Sequence, residues 1–229
     1  MSGLFYLFGQ TSKEAMSLLL QSSTAQVANF LQIPSAEVFA LLVAISFAAG
    51  LNLYATVAAL GLLAHFGRLA LPPGLQLLEG WPVIAASCAL FGIELFADKI
   101  PAFDLVWNAL HTFIRVPVAA LLAYRATSQL SPGHQLMATL LGAGVALIAH
   151  GGKTAARTAV SPSPEPLSNI GLSLGEDILA IGLTWLATTH PYVAGAMAAA
   201  FALIILFLIR WVVRAMAALF RAAEQKLGG

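Results

Sequence analysis

From Ala36 to Phe66 the chain is an apolar tract with a single acid, Glu37, near its start. As one continuous helix it would be roughly 45 Å long, against a bilayer hydrocarbon core of about 30 Å. Gly50-Leu51-Asn52 lies near its centre. Two readings stand: one long tilted helix in which the small Gly and polar Asn serve close packing, or a span broken at that point. The sparing use of charge extends along the whole chain. Of 229 residues, 59% are hydrophobic and 9% charged, where a soluble domain carries about 25% charged residues. The expected fold class is therefore all-α, a polytopic integral membrane protein.

Five further helices follow from the pattern. They are Trp81 to Ile93 and on into a charged run, Leu105 to Tyr124, kinked or locally opened near Pro117, and Gln135 to Thr158. The last two are Ser173 to Thr188, opened by a Ser173/Glu176 capping box, and Tyr192 to Val213, continuing to about Glu224. Asp104 is placed to N-cap the second of these. Gly67 to Gly80 and Ser161 to Pro166 read as loops. The sum is about six transmembrane helices, with broken or re-entrant segments allowed for. Before them, a second capping box at Thr11/Glu14 opens an amphipathic helix to about Gln32, too polar to span. Residues 1–34 thus form an interfacial segment, 35–215 the transmembrane domain and 216–229 a basic tail.

Arg210, Arg214, Arg221 and Lys226 crowd that tail, which places it in the cytoplasm by the positive-inside rule. The expected location is the cell inner (plasma) membrane, multi-pass. Trp81, Tyr124 and Tyr192 then fall at the opposite interface and Trp211 at the inner one. A net charge of +1 predicts no nucleic-acid partner. Cys88, the only cysteine, rules out an intramolecular disulfide. No basic n-region precedes an apolar run at the N-terminus, so no cleaved signal peptide is expected.

Under this threading the charged helix ends meet at one membrane face. Glu94, Asp98 and Lys99 end one span and Asp104 begins the next, while Lys153 and Arg157 end a third and Glu176 and Asp177 begin a fourth. Glu94 and Asp98 are one turn apart. Asp104, Asn108, His111 and Arg115 step by four, three and four along one helix face, and His150, Lys153 and Arg157 form another stripe. Charge facing lipid is costly, so the stripes must face each other or a water-filled cavity.

The strings ELFADKIPAFDLVWNALHTFIR, AHGGKTAARTAVSPSPEPLSN and SLGEDILA resemble an uncharacterised family of small bacterial membrane proteins, a domain of unknown function numbered 4126. The resemblance runs from about Gly50 to the end of the last span and implies a six-helix membrane domain. It marks Glu94, Asp98, Lys99, Pro101, Asp104, His111, Arg115, Lys153, Arg157, Glu176 and Asp177 as signature positions. The chain departs from the pattern at Asn108, where the family carries an acid, and at Val116, which separates Arg115 from a proline.

Three functions fit these residues. The foremost is translocation of a small solute or ion through a charged cavity. Glu94 and Asp98 would bind protons or a cation, and Lys153, Arg157 and Arg115 an anionic group. Asn52, Lys99, Asp104, Asn108, His111, Glu176 and Asp177 would line the cavity. The second is an interface enzyme on anionic lipid head groups, the one case that calls for a cofactor, Mg²⁺ on the carboxylates. No nucleophile motif accompanies it. The third is a non-catalytic assembly or lipid-binding factor that uses the amphipathic N-terminal helix and Arg210, Arg214, Arg221 and Lys226 of the tail on anionic lipid head groups. Apart from these functions, the charge cluster reads as an ion-pair lock that holds helices together. Membrane lipids are expected partners in every case, and small residues such as Gly142, Gly144, Gly195 and Ala199 allow close helix contacts within a chain or in a homo-oligomer.

Overall fold

The long apolar tract is broken. In the structure, a computed structural model that describes residues 36–97, 101–160 and 166–227, helix α1 (Ala36–Leu51) stops at Leu51 and α2 (Leu53–His65) starts one residue later. Asn52 between them is extended, at φ −144° and ψ 104°. Its side-chain oxygen accepts from the Ala55 N–H at 2.9 Å and caps α2. At the far end of α2, Gly67 has a φ of +68°. The Arg68 N–H returns to the Leu63 carbonyl and that of Gly67 to Ala64, closing the helix in a Schellman turn.

The remaining elements are a 3₁₀ helix (Pro73–Glu79) and five α-helices. These are α3 (Trp81–Ala97), α4 (Pro101–Ala126), α5 (Pro132–Val160), α6 (Pro166–Thr189) and α7 (Pro191–Leu227). Among the described residues there is no strand, and the all-α expectation holds. Two helix starts and one loop differ most from the sequence reading. Pro166 sits at the first turn of α6, where its missing N–H costs nothing. Ser173 and Glu176 are therefore helix-interior residues and not a capping box. Likewise α4 starts at Pro101, so Asp104 lies inside the helix. Pro117 lies within that one assigned helix. The loop from Gly67 to Gly80 contains the 3₁₀ helix, which buries Leu75 and Leu78. The amphipathic helix and capping box expected at 11–32 lie outside the described residues.

The core forms around α1, which packs against α4, α5, α6 and α7 and is buried continuously from Leu42 to Gly50. A helix apolar on every side belongs in such a central place. Small residues set its approach to its neighbours. A Cβ on Gly50 would stand 2.5 Å from the Ala146 carbonyl oxygen and 2.8 Å from the Ala149 Cβ. A Cβ on Gly195 would stand 2.7 Å from the Ala40 Cβ, and one on Gly142 2.7 Å from the Ala123 Cβ. A Cβ on Gly144 would meet nothing within 4 Å. Gly50→Ala would gain up to about 1 kcal/mol in helix propensity. Overpacking against a backbone that cannot rotate away costs about 1–3 kcal/mol, so the variant should melt lower in detergent than wild type. Gly144→Ala should melt no lower, and equal losses for both would remove the close approach at Gly50 as the cause.

The outer helices turn apolar side chains outward. Leu203, Ile204, Phe207, Trp211 and Val213 on α7 are all exposed, as are Phe96, Phe113 and Ile178 on other helices. In water such a surface would be a liability, whereas in hydrocarbon it is the expected exterior. Among the described residues three helical stretches are long and apolar enough to cross a membrane: Pro132–Arg157, Ile170–Thr189 and Pro191–Ala218. The 3₁₀ helix with α3, bent by 67°, makes a fourth if the pair is one span. The six spans expected from sequence exceed this count for two reasons. The break leaves α1 and α2 at 16 and 13 residues, about 24 and 20 Å. The 26 residues of α4 are long enough, but they carry the stripe from Asp104 to Arg115.

Candidate functional site

The charged stripes converge on the break. On α3, Ile84, Ser87, Glu94 and Ala97 form the buried face, and Glu94 is directed inward against α4 and α5. Its Oε1 accepts from the Arg115 guanidinium and, at 3.2 Å, from the Lys153 ammonium. Glu94, Arg115 and Lys153 have fully buried side chains. Lys153 reaches onward to Glu176 Oε2 at 3.4 Å, and Arg157 donates to that same oxygen at 2.7 Å. Asp177, next to Glu176 on α6, accepts at 2.8 Å from the side-chain amide of Asn52.

The break itself is a member of this network. Asn52 is completely buried and uses every polar group it has. Its N–H donates to the Ala48 carbonyl, its carbonyl accepts from Thr56, its amide oxygen caps α2 and its amide nitrogen holds Asp177. Because the Ala55 N–H is turned to the Asn52 side chain, the Leu51 carbonyl is available to a different donor. Lys153 Nζ donates to it at 3.2 Å. A buried carbonyl without a partner would cost several kcal/mol in hydrocarbon, and the lysine removes that cost.

Two histidines extend the network. Arginine has only donors, so its Nη1 donates to His150 Nδ1 at 3.2 Å, and a neutral His150 carries its proton on Nε2 and donates to Thr112 at 2.7 Å. On α4, His111 Nδ1 donates to the Trp107 carbonyl at 2.7 Å, and its Nε2 accepts from the Tyr54 hydroxyl at 2.9 Å. The Trp107 ring stacks obliquely on His111 with centroids 4.3 Å apart.

Of the residues expected from sequence, the structure therefore brings together Glu94, Arg115, Lys153, Arg157, Glu176, Asp177, Asn52 and His111. Asp98 and Lys99, and the side chains of Asp104 and Asn108, lie outside the described residues. Three residues of the network were not anticipated as site residues: Tyr54, Thr112 and His150. His150 was legible as a stripe member, and Tyr54 as a hydroxyl two positions after Asn52. Thr112, beside His111, carried no signal of its own. Among the described residues the charged side chains of the network are buried, and two cavities are lined mostly by apolar residues. One of about 200 Å³ lies between the first half of α1, the second half of α4 and residues 69–75, lined by Leu42, Ile45, Leu71 and Leu122. Among the described residues no group of three or more His, Cys, Asp or Glu is placed to hold a metal ion.

Among the described residues three acids and three bases, nearly or fully buried, gather here in equal number. Glu94 Oε2 and Glu176 Oε1 are buried and accept no hydrogen bond among the described residues. The arrangement can fix helix register by charge.

This fold, with its outward apolar surface and inward ion network, defines a polytopic helical membrane protein. The model of one family, described as a domain of unknown function (DUF4126), matches residues 39–211, more than two thirds of the chain. The chain belongs to that family. No curated protein and no solved structure shows a significant match to it.

Proposed function

We propose that this chain translocates a small solute or ion across the cell inner membrane, with the buried network at the α1–α2 break as its coupling centre and the basic tail on the cytoplasmic side. One observation carries the reading. Glu94 is wholly buried and serves two cations through one oxygen, while its other oxygen accepts nothing among the described residues. Buried carboxylate oxygens are nearly always hydrogen-bonded, and one left over calls for an explanation such as a functional role or a bound water or ion. Ionisable groups at membrane depth mark pathways and proton relays, and broken helices mark transporter sites. Asp98 is proposed to share the proton with Glu94. Arg115, Lys153 and Arg157 now hold the chain's own carboxylates, and an anionic solute would compete for them.

Glu94→Gln tests this. The amide oxygen still accepts from Arg115 and Lys153, much as the protonated acid would, so the variant should stay folded and melt only a few degrees lower. Flux in proteoliposomes loaded with a pH-sensitive dye should fall at least tenfold. Unchanged flux would sink the proposal.

A second reading, the ion-pair lock, is supported by the equal number of acids and bases, three of each, among the described residues. It predicts that Glu94→Gln loses cooperative melting, because a charge network held for register does not tolerate an uncompensated member.

A further inference from the structure

We infer that the Lys153 ammonium is the tethered occupant of a monovalent-cation site built at the α1–α2 break. Among the described residues three oxygens from three helices face it: the Leu51 carbonyl at 3.2 Å, Glu94 Oε1 at 3.2 Å and Glu176 Oε2 at 3.4 Å. A carbonyl freed by an unwound helix, joined by carboxylates, is the donor set with which discontinuous helices coordinate small cations. Here the cation is covalently attached. Lysine suits the role because its head is a compact point charge with three N–H donors; it donates to the Leu51 carbonyl and Glu94 Oε1, with Glu176 Oε2 at ion-pair distance. The spacing also selects the ion. Magnesium and calcium require oxygens at about 2.0–2.6 Å, well inside this ring, whereas an ammonium fits it.

The surroundings fix the charge the site must hold. Glu94 on α3 and Glu176 and Asp177 on α6 supply three negative charges. Arg115 on α4 and Arg157 on α5 supply two positive ones, both engaged with carboxylates. His111 on α4, His150 on α5 and the Tyr54 hydroxyl on α2 complete the ionisable groups around it among the described residues. Remove the lysine charge and the described cluster is left one positive charge short. The site is a claim about binding and stands without transport.

The test is Lys153→Ala, purified in detergent and melted at equal ionic strength in sodium, potassium, ammonium, methylammonium or choline chloride. Wild type should melt alike in all five. Lys153→Ala should melt lowest in choline and gain roughly 5–10 °C in ammonium or methylammonium at a hundredfold excess over the dissociation constant. Choline is too large to enter. The charge-balanced double variant Lys153→Ala with Glu176→Gln should need no cation to fold and should show a much smaller gain. The inference is overturned if Lys153→Ala responds to no small cation beyond choline, including a variant recovered in no salt, or if wild type shows the same preference. Loss of cation rescue with proton flux intact would remove the site and leave the translocation reading standing. The reverse result would remove only the latter.

Discussion

Arg115→Met should be the most damaging single substitution in the network, lowering stability by about 3–5 kcal/mol, the usual cost of removing one partner from a buried pair. The asymmetry with Glu94→Gln follows from donors and acceptors. Glutamine at 94 still offers an oxygen to Arg115 and Lys153. Methionine at 115 offers nothing to Glu94 Oε1, and it strips His150 Nδ1 of a donor as well. Arg115 is entirely buried, so water cannot take over these bonds without opening the bundle between α3, α4 and α5. At roughly 2–4 °C per kcal/mol for a chain of this size, the melting temperature in detergent should fall by about 6–20 °C. Adding Glu94→Gln to Arg115→Met should return part of that loss, with a coupling energy of about 0.5–3 kcal/mol, because the second change removes the carboxylate the first one stranded. Additive effects of the two changes would mean that the pair is not coupled and that Arg115 acts through packing alone.

Much of this site is written in the helical period. Glu94, Arg115, Lys153, Arg157, Glu176 and Asp177 could be placed in one region because charges cannot face hydrocarbon, and because stripes at three- and four-residue steps force each set onto one side of its helix. What the period does not encode is the register of one helix against another. Arg115 pairs with Glu94, twenty-one positions away, and nothing in either stripe selects that partner. Lys153, read from sequence as a group for an anion, is surrounded by the chain's own oxygens for the same reason. The Gly50-Leu51-Asn52 segment left two readings open, since a Gly and an Asn suit close packing as well as a break. The span is broken and the continuous helix is not formed, with Asn52 capping α2, although Gly50 also packs closely against the Ala146 backbone. The Ser173/Glu176 pattern misled because a capping box is a local signal, and Pro166, seven residues earlier, starts the helix. Glu176 then turns to Arg157 and not to a helix terminus.

Asn52→Ala should cost about 2–4 kcal/mol, the sum of two separate losses. One is the cap on α2, about 1 kcal/mol, and the other is the donor to Asp177 Oδ1, about 1–3 kcal/mol for a buried carboxylate left short of a partner. Alanine also favours helix over asparagine by up to about 0.7 kcal/mol, which pushes the break toward a continuous helix. That gain is smaller than the losses, and straightening would return the Leu51 carbonyl to the helix ladder and take it from Lys153. The net effect is therefore destabilising, and it extends to the lysine. Asn52→Ser separates the terms: its hydroxyl can still cap α2 but is too short to hold Asp177. Melting temperatures should fall in the order Asn, Ser, Ala, with serine recovering about 1 kcal/mol relative to alanine. If serine and alanine melted alike, the cap would contribute nothing and the break would be held by Asp177 alone. If both matched wild type, the break would be set by the packing of Gly50, and Asn52 would not be what opens the Leu51 carbonyl to Lys153.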